Sequence, residues 1–285
     1  EELPNVSVIA LTASATLDVQ EDICNKLHFK KDHVKFQQSF ARPNLSYSVF
    51  QPASKQTKLI EILKNVPGSA IVYCRSRKRT LQLSALLNQN RIAADYYHAG
   101  LNNEERTLRQ DNWIKNKTRV IVSTNAFGMG VDKRDLRFVT HYNLPGSVEA
   151  YYQEVGRAGR DGLPSVCTLL FNYVDTRTHE FFIDGSYPEP DLIREVYDCL
   201  KGFERETVEL TAREIAPRIG VRNELAINSA LVFLDKADHI ERAAGSGANI
   251  RIVDRVSRFD LRVDWNDLAN RRAADERKLR EMVNF

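Results

Sequence analysis

No phosphate-cradling loop of the G-x-x-x-x-G-K-[ST] type occurs in the 285 residues, so the chain has no such cradle of its own for a nucleotide. Cysteine is scarce. Cys24, Cys74, Cys167 and Cys199 are widely spaced and form no C-x-x-C pair, which argues against a structural zinc site and a disulfide framework. Each is read as a small buried hydrophobe in a reducing compartment. No apolar run approaches the roughly 18 residues of a membrane span. The first residues, "EELPNVSVIALTASAT", have no basic n-region, which excludes a signal peptide there. An excess of one charge is also missing, since a net charge of +3 is too small to argue for nucleic acid.

What is present is a packed, globular composition, 42% hydrophobic and 28% charged, on a length comfortable for two domains. Charge concentrates locally in "RSRKR" (75–79) and "IKNKTR" (114–119). In isolation either run reads as a solvated face, so its position in the fold must decide.

The apolar pattern predicts a buried strand over 6–11, a helix over 17–29, then an irregular linker leading to a strand near 45–50. From 55 to about 183 it alternates. Helices are predicted at 56–65, 77–89, 102–116, 147–156 and 175–182, with strands at 69–74, 93–97, 119–123, 137–142 and 166–171. This order predicts an α/β fold, a parallel sheet with helices on both faces. Ligands of such sheets gather at the carboxyl ends of the strands. "CRSRKR", "HAGL", "STNAFGMGVD" and "NLPGS" each come directly after a strand, so they are expected on one edge.

After "GSYPEP" (185–190) the character changes. A helix is predicted over 191–203, and then helix, turn, helix and a glycine-turn hairpin. That order is the winged-helix order, and a small helical packing domain fits the pattern equally well. The last stretch, "DWNDLANRRAADERKLREMVNF", reads as a charged amphipathic helix.

One short segment raises a sharper question. In "YYQEVGRAGRDG" (151–162), Arg157 and Arg160 stand among Gly156, Ala158, Gly159 and Gly162. A guanidinium is a planar, always-charged fork suited to phosphate oxygens, and glycines let the backbone turn and both side chains advance. A structural pair at a helix end is the bland alternative.

The ordered set "LTASAT" (11–16), "AIVYCRSR" (70–77), "YYHAGL" (96–101), "VIVSTNAFGMGVDKRDLRFVTHYNLP" (120–145) and "YYQEVGRAGRDG" resembles the later motifs of superfamily-two helicases. "AFGMGVDK" and the arginine segment resemble the RecQ family of DNA helicases. The resemblance is strong from 7 to about 184 and weaker from 190 to 285. It implies a RecA-like motor fold with a smaller, mostly helical, winged-helix-like domain. It implies catalytic arginine fingers at Arg157 and Arg160, with Arg160 the first choice for the γ-phosphate. Gly130, Asp132 and Gln153 fall in motifs that face the nucleotide. Ser76, Arg77, His98, Gly100, Thr124 and Asn125 match places that hold a single-strand backbone, where hydroxyls and N–H groups meet phosphates. Ser14, Ala15 and Thr16 match the motif that couples two motor domains. The competing reading for His98 is a packed loop histidine. Phe127 and Met129 are read as packing residues.

The family's phosphate loop and its magnesium-binding carboxylates precede "LTASAT", and its zinc cysteines come after the last helix. The resemblance therefore implies a fragment. Residues 1–40 would be the tail of a first motor domain with a linker, and 41–188 the second motor domain. Residues 189–262 would be the winged-helix-like domain, and 263–285 a helix leading toward a zinc-binding region. ATP and magnesium would be bound mainly by the first domain, and zinc only beyond this chain. The winged helix here precedes the expected zinc region, where many members place it after, so duplex-binding residues are not carried over to 211–250. The implied partners are single-stranded and forked DNA, with no membrane, for a monomer active in DNA repair and recombination in a bacterial cytoplasm. An RNA-directed motor of the same superfamily and a non-catalytic binding module are the alternatives.

Overall fold

The structure is a computed structural model that describes residues 8–285 except 13, 14, 16, 31, 38, 40, 129, 130 and 243–248. The chain divides into two compact units at Asn172/Tyr173.

The first unit holds α1 (Leu17–Lys26), β1 (Leu45–Phe50), α2 (Lys55–Asn65), β2 (Ser69–Tyr73), α3 (Arg77–Gln89) and β3 (Ala94–Tyr97). It continues with α4 (Asn103–Ile114), β4 (Val120–Ser123), β5 (Leu136–His141), α5 (Val148–Val155) and β6 (Ser165–Leu170). The strands form one six-stranded sheet in the order β1-β6-β5-β2-β4-β3, and every neighbouring pair is parallel. The apolar runs are buried as doubly covered strands should be, with every residue of β2 and β4 inside. Alternation then sorts the two faces. Ala70, Val72, Val120, Val122 and Phe138 pack with Leu59 and Leu63 of α2 and Leu83 and Leu87 of α3. On the other face, Trp113 of α4 donates its indole N–H to Ala70 O at 3.1 Å, and α5 lies over β5 and β6.

Capping side chains set the helix starts. Ser54, Ser76 and Ser147 accept N–H groups of the first turns of α2, α3 and α5, and Asn102 forms a reciprocal capping box with Glu105. Val8–Leu11, expected in a buried strand, is irregular instead, with Ile9 and Leu11 exposed; residues 6 and 7 of that expectation lie outside the described residues. β-Branched and leucine residues without a neighbouring strand have no surface to bury against.

The second unit holds α6 (Tyr173–Ser186), α7 (Pro190–Lys201), β7 (Thr207–Glu209), α8 (Ala212–Ile215), a 3-10 turn (Ala216–Arg218), α9 (Glu224–Lys236), β8 (Ile240–Arg242), β9 (Asn249–Ile252) and α10 (Trp265–Asn284). The expected helix, turn and helix are here, β8 and β9 pair antiparallel while the glycine turn expected between them lies outside the described residues, and β7 adds a third antiparallel strand in the order β7-β9-β8. α7 turns Ile193, Val196, Tyr197 and Leu200 inward, and α9 contributes Ile227, Ala230, Leu231 and Leu234 to the same core. His239 is fully buried and satisfied on both ring nitrogens, by the Asp254 carboxylate at 2.8 Å and the Arg262 N–H at 2.8 Å.

The unit boundary falls earlier than position 188 because α6 packs with the second core. Gly185 lies so close to Leu225 that a Cβ would collide with it, and Asp184 pairs with Arg272 of α10 at 2.9 Å. Turn composition marks residues 185–190, but packing assigns α6 to the second unit.

Candidate functional site

Because the sheet is parallel, the loops leaving β2, β3, β4 and β5 begin on one edge. The carboxyl-edge loops are joined through backbone bonds: Cys74 N–H to Ser123 O at 2.8 Å, Thr124 N–H to Tyr97 O at 3.3 Å and Tyr142 N–H to Tyr73 O at 2.8 Å. Ser76 and Arg77 open α3 there, and both are exposed. The Arg77 guanidinium rests against Gly100, where an added Cβ would come within 2.7 Å of Nη1. Thr124 is half-buried and Asn125 exposed on the adjoining loop. His98 is buried, its ring stacked on Tyr96 with centroids 5.8 Å apart, and its Nδ1 has no protein partner among the described residues. Its burial fits the packed-histidine reading, and its unpartnered nitrogen leaves a polar atom at this edge.

The two cationic runs part company. Residues 75–79 lie on the carboxyl edge with Arg77 and Lys78 exposed. The 114–119 run precedes β4 on the opposite edge, and Arg119 is spent on the carbonyls of Leu63, Val66 and Gly68.

The arginine segment is not on the carboxyl edge. α5 runs back across the sheet, so Gly159 N–H meets Leu136 O at the start of β5 at 2.8 Å, and Asp161 N–H meets Arg134 O at 3.2 Å. Residues 131–133 lie at the same place, with Leu136 N–H on Lys133 O at 3.3 Å, whereas Thr124 is on the carboxyl edge. The expectation that all of "STNAFGMGVD" gathers on one edge is thereby corrected: Asp132 stands with the arginines.

Here the two arginines differ. Arg160 is exposed and donates through Nη1 to Asp132 Oδ1 at 2.8 Å. Arg157 is turned inward, with Nη1 on the carbonyl of Gly128 and its Nε buried without a partner among the described residues. A Cβ at Gly128 would overlap the Arg157 guanidinium, so glycine is required for this close approach. Tyr73 closes the same pocket, donating its hydroxyl to Phe127 O at 3.1 Å. Burial pushes that hydroxyl's pKa up, and the adjacent Arg157 guanidinium acts in the other direction. Phe127 packs edge-on against Tyr97 and Trp113, as a packing residue should. Gln153 is exposed on α5. Ala15 accepts the Gln20 amide at 3.0 Å. Ser14, Thr16, Met129 and Gly130 lie outside the described residues.

Sequence reasoning missed a buried prop beneath this loop. His141, at the end of β5, meets Glu154 of α5 at 2.6 Å and stacks on Tyr73 with centroids 5.3 Å apart. The available signal was a histidine closing an apolar strand. Cys74 and Cys167 are buried, and burial pushes both thiols up to about 12, so they are neutral packing groups. No group of three His, Cys, Asp or Glu side chains able to hold a metal occurs among the described residues.

Residues 54–162 match the helicase conserved C-terminal domain. The matched region lies in the first unit, whose parallel sheet is similar in fold to Saccharomyces cerevisiae Dbp5 bound to RNA and ADP BeF3, at TM-score 0.50 and 20% identity over 56% of this chain and 44% of that one. The sequence is also similar to proteins named as RecQ-like and other ATP-dependent helicases. It is 46% identical over 182 residues to the RecQ-like DNA helicase blm-1 of Caenorhabditis elegans, covering 61% of this chain and 18% of the relative. It is 36% identical over 245 residues to a Bacillus subtilis relative named as a probable ATP-dependent DNA helicase RecS, covering 85% of this chain and 49% of the relative. A mimivirus relative named as an ATP-dependent RNA helicase is 42% identical over 185 residues, covering 64% of this chain and 34% of the relative. The chain thus spans between about a fifth and a half of the lengths of these curated relatives.

Proposed function

We propose that the protein carrying this chain is an ATP-dependent DNA helicase and that the first unit is its second motor domain. The observation that carries this reading is Arg160, exposed on a tightly held glycine loop and aimed by Asp132. Phosphoryl transfer is accelerated by positioning and charge, and an arginine supplied from outside the phosphate cradle contributes roughly a thousandfold or more. This chain has no such cradle, so its arginines serve a triphosphate held by another domain, and the chain alone is expected not to hydrolyse ATP. Arg160 is the group presented to that triphosphate. Arg157 reaches it only by releasing Gly128 O, which makes it a second contact available on closure. Ser76, Arg77, Gly100, Thr124 and Asn125 would hold the single strand on the carboxyl edge, with the His98 nitrogen beside them. Closure and reopening of a cleft around ATP would then shift one grip relative to another, a hinge-type cycle.

In the full-length protein, Arg160→Ala should lower DNA-stimulated ATP hydrolysis by about a thousandfold while leaving single-strand binding intact. Hydrolysis at the unaltered rate would remove Arg160 from the reaction and overturn this reading, and a parent protein that hydrolyses no ATP would be a binding module rather than a motor. The mimivirus relative's name favours testing RNA as a second substrate in the same assay. Unwinding of an RNA duplex without unwinding of DNA would transfer the proposal to RNA.

A further inference from the structure

We infer that Arg42 and Asn44 are positioning residues for the arginine loop, setting where Arg160 points through the backbone between it and Arg157. The inference rests on the reading of Arg160 given above. Arg42 Nη2 donates to Gly159 O at 2.7 Å and to Ala158 O at 3.2 Å. Asn44 Nδ2 donates to the same Gly159 carbonyl at 2.8 Å and to Leu163 O at 3.0 Å. Ala158 and Gly159 are the two residues that separate the arginines. Both side chains come from the segment just before β1, more than a hundred residues away in sequence.

The fit is specific in shape. Gly159 has φ +55°, and an added Cβ would meet Asn44 Nδ2, Ser165 Oγ and the Leu163 carbonyl. Only glycine lets the loop close on Asn44 there. The far side of the loop is held independently, by Gly159 N–H on Leu136 O and by Arg137 on Asp161 and the Ser165 hydroxyl. Arg42 and Asn44 therefore contribute the hold on the carbonyl side, and a displacement of residues 41–44 is transmitted directly to the peptide that carries Arg160. Charge stabilisation in a transition state is sensitive to placement, and an error of about 1 Å costs on the order of a hundredfold.

The test uses the full-length protein with saturating single-stranded DNA and three variants, Arg42→Ala, Arg42→Lys and Asn44→Ala, beside Arg160→Ala. Positioning predicts that Arg42→Ala lowers kcat by roughly ten- to a hundredfold. KM for ATP should stay within about twofold and the melting temperature above the assay temperature, with Arg42→Lys recovering part of the rate because one ammonium still reaches a carbonyl. Unchanged kcat overturns the inference, as does a rate that falls only in step with melting temperature and is not recovered by lysine. Should Arg42→Ala not fold, Asn44→Ala is read by the same kcat, KM and melting criteria. If Arg160→Ala itself retains hydrolysis, the functional reading has failed. If Arg160→Ala is inactive while the Arg42 and Asn44 variants are normal, only the positioning inference has failed.

Discussion

At the scale of single residues, two arginines that look alike in sequence have different physical roles. The Arg160 pair with Asp132 is a surface ion pair, with side chains 40% and 64% exposed. Such pairs contribute little in water. Arg157 instead supplies a charge-assisted hydrogen bond to a carbonyl beside a buried tyrosine. Arg157→Ala should therefore destabilise the first unit by about 1.5–3 kcal/mol. Arg160→Ala should change its stability by less than about 1 kcal/mol. Urea unfolding of this chain monitored by tryptophan fluorescence checks both, since Trp113 reports from the same core. Equal effects would show that Arg157 is as solvated as Arg160. The sequence places both residues in a phosphate-seeking motif, and nothing in "GRAGR" says which one folds inward. That depends on Gly128 and Tyr73, brought to Arg157 by a loop and a strand distant in sequence.

At the scale of elements, most helix spans were legible because apolar period is local, and the caps that fix their first turns are local too. The capping box at α8 shows what such a local device does with pH. Glu214 accepts the Thr211 N–H at 2.8 Å and its hydroxyl at 2.7 Å. These bonds hold its carboxyl below the ordinary value of 4.5. A carboxyl depressed in the folded state contributes stability above its unfolded pKa, and that contribution is lost as pH falls through the folded value. The melting temperature of Glu214→Gln should therefore lie below the parent's near neutral pH, and the two should converge below the usual carboxylate range. A gap that stays constant across that range would show that the carboxylate charge is not the source. β7, by contrast, was not legible. Three residues with one buried position, Val208, carry too little periodicity, and β9 supplies the reason for the strand.

At the scale of the whole molecule, each unit has its own core. One cluster draws all its residues from 59–170 and the other from 187–268. Each unit is therefore expected to keep its fold and its binding properties separately. With the single-strand site proposed on the first unit, a chain ending at Asn172 should bind single-stranded DNA with the same steep salt dependence as the 285-residue chain. If the second unit reads duplex as a winged helix, the longer chain alone should prefer a forked substrate. Titrations of both chains against single-stranded and forked DNA across a salt series check this. Equal affinities for the fork would make the second unit a structural or docking element.

The sequence by itself determined the alternation of strands and helices and the doubly covered sheet. Those arise from apolar period and turn residues, which are properties of neighbouring residues. Only tertiary structure decided that Thr124 and Asp132 lie on opposite edges, that Asp132 meets Arg160, that α6 belongs to the second unit, and that Arg42 and Asn44 hold the arginine loop. Each of these depends on which distant backbone groups need partners once the sheet is assembled, and a hydrogen bond between residues more than a hundred positions apart leaves no periodic trace in the chain.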